Sequence, residues 1–345
     1  MRTSLRGRET RPAMTSRSRA ARNCAHRPGT PVYELQDLCF FGYVASITTL
    51  ILVRCAGGCN VDYPWTLIAY HLLLCTVGVV APLLAARWPH PAVRFFRWWY
   101  PVLLFTFCFE AIGRMIYLIQ PTLIDDTLII AVENVFGAML SPLLQAHASP
   151  WLTELMYFFY SSYYFLIPVV GLALYFRALD SSGDMPAVEF RKFMLAVSLT
   201  FWVCYLHFLF TPAGGPVFWP TYPGPVLDLR GGPITAAEQW VFRHGTIVGG
   251  AFPSSHVAVA TVVACFAIRF SVIPAVLVPL SIGLAISTVY AGYHYGVDVL
   301  YGMIVGAVVA ATASKVFDWR ERTRTVVSGA GAATRTGKDQ RVCDL

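Results

Sequence analysis

Long apolar runs alternate with short polar stretches along most of this 345-residue chain. A helix needs about 20 apolar residues to cross the hydrocarbon core of a bilayer, and several runs approach or exceed that length. The pattern predicts an all-α fold, a polytopic transmembrane helix bundle with about eight spans. The predicted spans, each defined to within several residues, are 37–54, 64–86, 99–119, 154–176, 193–210, 256–271, 274–290 and 295–314.

The charges in the connections predict which ends of the spans face the cytoplasm. Lys and Arg are concentrated in the connections 87–98 and 177–192 and beside the turn near residue 270. The segments 120–153 and 211–253 are acidic or nearly neutral. Because positively charged connections stay on the cytoplasmic side, both termini are expected in the cytoplasm and the two long segments outside. The expected location is the cell membrane.

The composition excludes an ordinary water-soluble protein. Hydrophobic residues make up 56% of the chain and charged residues 13%, whereas soluble proteins typically carry about twice that charge. The net charge of +7 comes mostly from Arg-rich ends, which beside apolar spans favour anionic lipid headgroups over nucleic acid as partners. The predicted organisation is a disordered basic cytoplasmic arm (1–36), two accessory transmembrane helices (37–98), a six-span core (99–315) and a disordered basic cytoplasmic tail (316–345).

Three features outside the spans carry local signals. Segment 211–253 is rich in Gly and Pro, and a loop of about 40 residues is usually functional where it occurs. Segment 120–153 has amphipathic stretches that are typical of a helix lying on the membrane surface. Cys55 and Cys59 flank a Gly-rich turn and either form a disulfide or stay free.

One polar cluster leads directly into the sixth predicted span. It reads Gly-Gly-Ala-Phe-Pro-Ser-Ser-His from Gly249 to His256. Pro253 and Ser254 are favourable at a helix start, and a helix N-terminus presents unpaired backbone N–H groups with a partial positive charge. With the hydroxyls of Ser254 and Ser255, such a terminus can bind a phosphate. The plainer alternative is that the serines only cap the helix.

A second polar cluster, Tyr-His-Tyr-Gly-Val-Asp, runs from Tyr293 to Asp298 at the last predicted span. On a helix, His294 and Asp298 would lie one turn apart on the same face. A carboxylate bonded to one ring nitrogen fixes the tautomer and makes the other nitrogen more basic, which suits a nucleophilic imidazole. The alternative is a structural His–Asp pair that holds helices together.

The separation of the two histidines predicts that they meet. His256 and His294 are 38 residues apart, about the length of two spans and a tight turn. The chain would cross the membrane in the sixth span and return in the seventh, so both imidazoles would lie at the outer edge beside segment 211–253. Polar groups at a membrane edge are costly and are therefore functional candidates.

These two clusters resemble the second and third signatures of the phosphatidic acid phosphatase type 2 superfamily. The matching residues are Phe-Pro-Ser-Ser-His at 252–256 and His-Tyr-Gly-Val-Asp-Val at 294–299, followed by Gly302. The pattern is most similar to the inositol phosphorylceramide synthase branch, where Phe-Pro-Ser-x-His and His-Tyr-x-x-Asp are typical. The resemblance covers about residues 99–315 and leaves out the first two spans.

The resemblance implies a lipid phosphotransferase or phosphatase. His294 would attack phosphorus and form a phosphohistidine, and Asp298 would orient its ring. His256 would protonate the leaving alcohol, while Ser254 and Ser255 would hold phosphate oxygens. Membrane lipids would be the partners, with water as the acceptor in a phosphatase and a lipid or polyol hydroxyl in a transferase. No metal and no organic cofactor is implied.

The sequence lacks cations that the superfamily usually has. Its third signature usually begins Ser-Arg, but Thr288 and Val289 occupy those positions, and Cys204 and Thr211 replace a Lys and an Arg of the first signature. The synthase branch shares the missing Arg of the third signature. A phosphoryl group in transfer needs positive charge around its oxygens. The candidate replacements are Arg114, Arg230 and Arg243.

Two further interpretations stay open. Arg114 follows Glu110 by one helical turn, so these two residues could form an ion pair of their own. The missing cations would also fit a catalytically silent scaffold or transporter that keeps the fold. The intact set of His256, His294 and Asp298 favours an enzyme.

Overall fold

Helices account for most of the computed structural model, which describes residues 32–58, 61–88, 90–177, 186–219 and 229–343, with side chains as far as 324. The described residues contain no strand, which confirms the predicted all-α class. Almost all of the predicted arm 1–36 lies outside them, as does Cys59. Tyr33–Thr325 form one unit, and this unit contains both histidine motifs.

Twelve α-helices lie in the described residues, and five of them begin with a proline, whose missing N–H group costs nothing at that position. In chain order they are α1 (Leu35–Ala56), α2 (Pro64–Arg87), α3 (Pro91–Gly113), α4 (Asp125–Phe136), α5 (Leu140–Gln145), α6 (Pro150–Ser161), α7 (Tyr163–Arg177), α8 (Val188–Phe210), α9 (Pro233–Gly245), α10 (Ser255–Phe270), α11 (Pro274–Tyr290) and α12 (Gly296–Cys343).

The predicted spans correspond to helices of this set. Stretches long and apolar enough to cross a membrane are α1, α2, α6 with α7, α8 and the part of α12 from Gly296 to Arg324. Helices α10 and α11 are apolar but shorter, and α3 carries Arg94, Arg97 and Glu110 among its apolar residues. The chain is therefore an integral membrane protein built as a helical bundle.

The structure departs from the predicted bounds at three places. Helix α3 ends at Gly113, and turns replace the helix expected to continue to 119. Segment 211–253 contains α9, which begins at Pro233 after Gly232. Helix α12 continues to Cys343, although a disordered tail is predicted from 316. That tail contains several Ala, Arg and Lys residues, which are good helix formers.

Helix α8 lies at the centre of the bundle and packs against α1, α3, α7 and α10. Phe193, Val197, Cys204 and Phe208 on this helix are completely buried. Sequence analysis aligned Cys204 with a Lys of the superfamily's first signature, and the structure places Cys204 in this apolar core.

Helices α10 and α12 approach each other backbone to backbone. A Cβ atom at Gly302 would lie 2.6 Å from the carbonyl oxygen of Ser254, and one at Gly306 would lie 2.3 Å from that of Ala258. Two glycines four residues apart are the usual way to bring membrane helices this close, because lipid provides no hydrophobic force between them. The contact fixes the start of α10 against the start of α12.

Buried ion pairs join the other end of the bundle. Asp37 accepts hydrogen bonds from Arg97 Nη1 at 3.1 Å and Nη2 at 2.5 Å, which ties α1 to α3. Arg191 Nη2 lies 2.8 Å from Glu34, which ties the start of α1 to α8. All four residues are at most 7% exposed. The first helix is thus fastened to the core by charge as well as by packing.

Replacing Asp37 by Ala should destabilise the protein strongly, because it removes the buried carboxylate that pairs with the buried Arg97 guanidinium. Removing one partner of a buried pair typically costs about 3–5 kcal/mol. The matched control is Glu110→Ala, whose ion pair with Arg114 is 63% and 68% exposed and should cost about 1 kcal/mol or less. Unfolding midpoints in detergent measure both, and equal losses would contradict the description of the Asp37 pair as buried and structural.

Candidate active site

The two histidine motifs lie side by side at one end of the bundle. The Ser254 amide donates a hydrogen bond to the carbonyl oxygen of Asp298 at 3.1 Å, so the start of α10 is bonded directly to the first turn of α12. The rings of His256 and His294 have centroids 6.0 Å apart. The spacing of these residues in the sequence predicts this proximity, and the structure shows it.

His294 is held in one tautomer. Its Nδ1 lies 2.8 Å from the carbonyl oxygen of Ala251, and a carbonyl oxygen can only accept. Nδ1 therefore carries the hydrogen, and the lone pair is on Nε2. The side chain is 4% exposed, and burial lowers the pKa of His294 to about 4, with the Ala251 hydrogen bond acting in the opposite direction. The imidazole is neutral at pH 7.

Asp298 does not bond directly to His294. Helix α12 begins only at Gly296, so His294 is not one helical turn from Asp298, and His294 Nδ1 lies 3.6 Å from Asp298 Oδ2. The same oxygen accepts a hydrogen bond from the Tyr295 amide at 2.7 Å, which satisfies a free N–H group at the start of α12. Asp298 Oδ1 is buried and has no partner among the described residues. The residue that orients the His294 ring is thus Ala251. The Asp298 carboxylate lies near the ring but is not hydrogen-bonded to it.

His256 lies among tyrosines of α6 and α7. Its Nε2 is 3.4 Å from the Tyr160 hydroxyl, and its ring centroid is 4.3 Å from that of Tyr163. Its Nδ1 is buried and has no hydrogen-bond partner in the part of the chain that the structure describes. A tyrosine at every third position, at 157, 160 and 163, was the signal that the sequence offered for this cluster.

Ser254 caps α10. The Ser254 hydroxyl accepts a hydrogen bond from the Val257 amide at 3.4 Å, and Ser254 is completely buried. Ser255 is 5% exposed and is the first residue of α10. The capping alternative therefore describes Ser254 well, and the phosphate-binding role of the two serines stays a prediction.

Asp125 on α4 connects the site to the Gly- and Pro-rich segment. This fully buried carboxylate accepts from the amides of Gly214 and Gly215 at 2.8 and 2.9 Å. It also accepts from the hydroxyl of Tyr295 at 2.8 Å. Burial raises the pKa of Asp125, and these hydrogen bonds oppose the shift. Sequence analysis counted Asp125 only as an outer negative charge and missed this role.

The start of segment 211–253 passes between the two motifs. The amide of Ala213 donates to Gly249 O at 3.1 Å, and the amide of Val217 donates to Gly292 O at 2.9 Å. Gly215 has φ +84°, and a Cβ atom there would lie 2.4 Å from the Tyr293 carbonyl oxygen. Only glycine fits this close passage without strain.

Helix α9 covers the site from the same segment. Phe242 stacks on Tyr293, with centroids 4.1 Å apart. Glu238, 5% exposed, accepts from the hydroxyls of Ser161 at 2.7 Å and Tyr164 at 3.2 Å. At the start of α9, Glu154 accepts from the amides of Gly232, Ile234 and Thr235, so a side chain of α6 caps this helix.

The three predicted phosphate-binding arginines lie in different surroundings. Arg114 Nη2 lies 2.8 Å from Glu110, and both side chains are exposed, as the ion-pair alternative expects. Arg230 is exposed beside the start of α9. Arg243 is exposed on α9, immediately after Phe242.

Comparison with known proteins gives one match. Residues 127–313 match the family model of the PAP2 superfamily, the superfamily that the two signatures resemble. The match covers more than half of the chain and includes both histidine motifs, Asp298 and Gly302. Searches of curated proteins and of solved structures returned no match.

The low pKa of His294 predicts a specific loss of stability in acid. Its folded value of about 4 lies below the usual unfolded value of about 6.5, so the unfolded chain takes up the proton first as the pH falls. The contribution of neutral His294 is complete above about pH 6.5 and is lost between about 6.5 and 4. Unfolding midpoints across this range should decline less in His294→Asn than in the wild type. Parallel declines would contradict the assignment of a buried, neutral imidazole.

Proposed function

The chain belongs to the PAP2 superfamily, and from this premise we propose that it is a lipid phosphotransferase acting through a phosphohistidine on His294. The donor is a phosphate ester of a membrane lipid, and the acceptor is a hydroxyl group of a second molecule. Within the superfamily, we propose an activity similar to that of the inositolphosphotransferases. The family membership supports the general class of activity, and the contacts of the described residues support the finer assignment.

One observation carries the proposal. The Ala251 carbonyl oxygen accepts a hydrogen bond from Nδ1 of His294 at 2.8 Å, which leaves the lone pair of Nε2 available. The centroid of the His256 ring lies 6.0 Å from that of the His294 ring. A nucleophile and an acid–base group that share one reacting atom need this arrangement.

The reaction has two steps in which bonds and protons balance. In the first, Nε2 of His294 forms a bond to phosphorus, the bond from phosphorus to the leaving oxygen breaks, and protonated His256 gives its proton to that oxygen. In the second, the acceptor hydroxyl attacks phosphorus, its proton passes to His256, and the N–P bond breaks. The hydrogen on Nδ1 of His294 stays on that nitrogen and is donated to the Ala251 carbonyl oxygen throughout.

Asp298 balances the charge that forms in the first step. Phosphorylation of Nε2 makes the His294 ring cationic, because Nδ1 keeps its hydrogen. The Asp298 carboxylate lies 3.6 Å from that Nδ1 and is completely buried, where opposite charges attract strongly. Asp298 thus stabilises the charged ring without holding it in place.

The phosphate oxygens would be held at the start of α10. Its free backbone N–H groups and the hydroxyl of Ser255 provide donors, with Ser254 shaping the turn. Among the candidate cations, Arg243 has a direct structural link to the site, because the preceding Phe242 stacks on Tyr293. Arg230 is a second proposed cation on the same segment, and Arg114 is the weakest of the three because it is paired with Glu110.

The surroundings of His256 favour a hydroxyl acceptor. Glu238 bonds to Ser161 and Tyr164 close to the Tyr160–His256 contact. Carboxylates and hydroxyls are the groups that bind the hydroxyls of a polyol. The alternatives are a lipid phosphate phosphatase, in which water takes the place of the acceptor, and a catalytically silent scaffold of the same fold.

We further propose that the site faces the non-cytoplasmic side. Arg97, Arg191 and Lys192 lie near the helix ends remote from the histidine motifs. Since basic residues mark the cytoplasmic ends of spans, both termini would be cytoplasmic.

Purified protein in mixed micelles should release or transfer headgroup phosphate from at least one of phosphatidylinositol, phosphatidate and isoprenyl diphosphate. His294→Ala and His256→Ala should each lower turnover by at least about 100-fold, the usual effect of losing a positioned acid–base group, without loss of the folded state. The control is His147→Ala, an exposed residue between α5 and α6, which should match the wild type. Added inositol, ceramide or diacylglycerol distinguishes transfer from hydrolysis. No turnover of any donor would support the silent scaffold.

A further inference from the structure

An apolar groove lies along the first turns of α12, next to residues of both histidine motifs. Its volume is about 280 Å³. Leu128 and Ala131 of α4 form one wall, and Val297, Leu300 and Ile304 of α12 form the other. Phe252, the residue that begins the Phe-Pro-Ser-Ser-His motif, also lines the groove.

The lining of the groove begins at residues of both histidine motifs, Phe252 and Val297, and continues along α12. Val297 lies between His294 and Asp298 in the second motif, whereas Ile304 lies seven residues further along α12, about 10 Å deeper at the rise of an α-helix. Leu300 is 39% exposed and Ile304 is 59% exposed, and in a membrane-spanning helix such faces contact lipid. A hydrocarbon chain in the groove would therefore lie at the level of the bilayer and beside residues of both motifs.

The groove offers a ligand almost no polar atom. Tyr301 also lines it, but its hydroxyl is 3.3 Å from His207 Nε2, and its ring lies 4.9 Å from that of Phe252. The position of α4 is fixed relative to the second motif, because Asp125 at its start bonds to Tyr295. The groove is thus a built feature whose walls are anchored to the same residues as the candidate site.

From these observations we propose that the groove holds one hydrocarbon chain of the lipid whose phosphate lies at His294, and that it selects substrates by this chain. The proposal rests on the proposed function, since it places the phosphate at His294. A chain in the groove makes van der Waals contacts that a chainless headgroup lacks, so the groove favours a lipid ester over its headgroup alone. The headgroup itself remains on the side of His256 and Glu238.

Filling the groove tests this assignment. Ala131→Phe narrows it from α4, and Ile304→Trp fills it from α12. The matched controls are Val135→Phe and Val308→Trp, which add the same rings to exposed positions of the same two helices, 59% and 57% exposed, outside the groove. The probes are dioleoyl phosphatidate in mixed micelles and glycerol 3-phosphate, which share the phosphate ester and differ in the chains.

The groove variants should raise the KM for phosphatidate by at least about 10-fold, a usual effect of altering an apolar pocket, and leave turnover of glycerol 3-phosphate unchanged. The control variants should behave like the wild type. Ile304→Trp keeps the test valid if Ala131→Phe fails to fold. Unchanged KM values for phosphatidate in the groove variants, or equal losses with both probes, would overturn the proposal.

A binding measurement separates this proposal from the proposed function. In the His294→Ala background, labelled phosphatidate should bind more weakly once Ala131→Phe or Ile304→Trp is added, and the two controls should have no effect. Groove-dependent binding without turnover by the wild type would refute the proposed function and support the groove. Two results would refute the groove proposal alone. One is turnover by the wild type together with phosphatidate binding that the groove variants do not change, and the other is phosphatidate binding no tighter than that of glycerol 3-phosphate.

Discussion

The backbone contact between α10 and α12 is the constraint on which the site depends. Gly302 and Gly306 let the two helices approach closely. A Cβ atom at Gly302 would lie less than 3 Å from the Ser254 carbonyl oxygen, and one at Gly306 equally close to that of Ala258. The Ser254 amide then bonds to the Asp298 carbonyl oxygen. Because His256 follows Ser254 by two residues and His294 precedes Asp298 by four, this contact sets the distance between the two imidazoles.

Carboxylates organise the irregular backbone around that contact. Non-helical segments near a membrane must have their polar groups satisfied within the protein. Asp125 binds two amides of segment 211–253, and Glu154 binds three at the start of α9. At the opposite end of the bundle, Asp37 and Glu34 pair with buried arginines. Acidic side chains therefore fix the loops at the site and the first helix at the other end, leaving the apolar helices to fill the middle.

Sequence reasoning predicted the helical class and the meeting of the histidines, because both follow from lengths along the chain. A span has a nearly fixed length, so 38 residues suffice to bring His294 back to the level of His256. The same reasoning assigned a direct His294–Asp298 bond, which assumed that both residues lie on a helix. The helix begins two residues after His294, and a backbone carbonyl takes the place of the carboxylate. A spacing rule cannot detect that substitution.

The remaining partners depend on contacts between residues far apart in the chain. Tyr160 approaches His256 over 96 residues, and Tyr295 bonds to Asp125 over 170. The folding of α9 over Tyr293 likewise depends on Glu154, which lies about 80 residues earlier. An apolar or acidic residue in an outer segment carries no local sign of such a partner, so only the structure could assign these roles.

Identifying the phosphorylated atom tests the central claim most directly. Brief incubation with a labelled lipid phosphate, followed by denaturation in alkali, should trap the label on His294. Phosphorus NMR and proteolytic mapping should place phosphorus on Nε2. Nδ1 carries a hydrogen that it donates to the Ala251 carbonyl oxygen, so it has no free lone pair. Label on Nδ1 of His294, or on a different residue while turnover proceeds, would contradict the account.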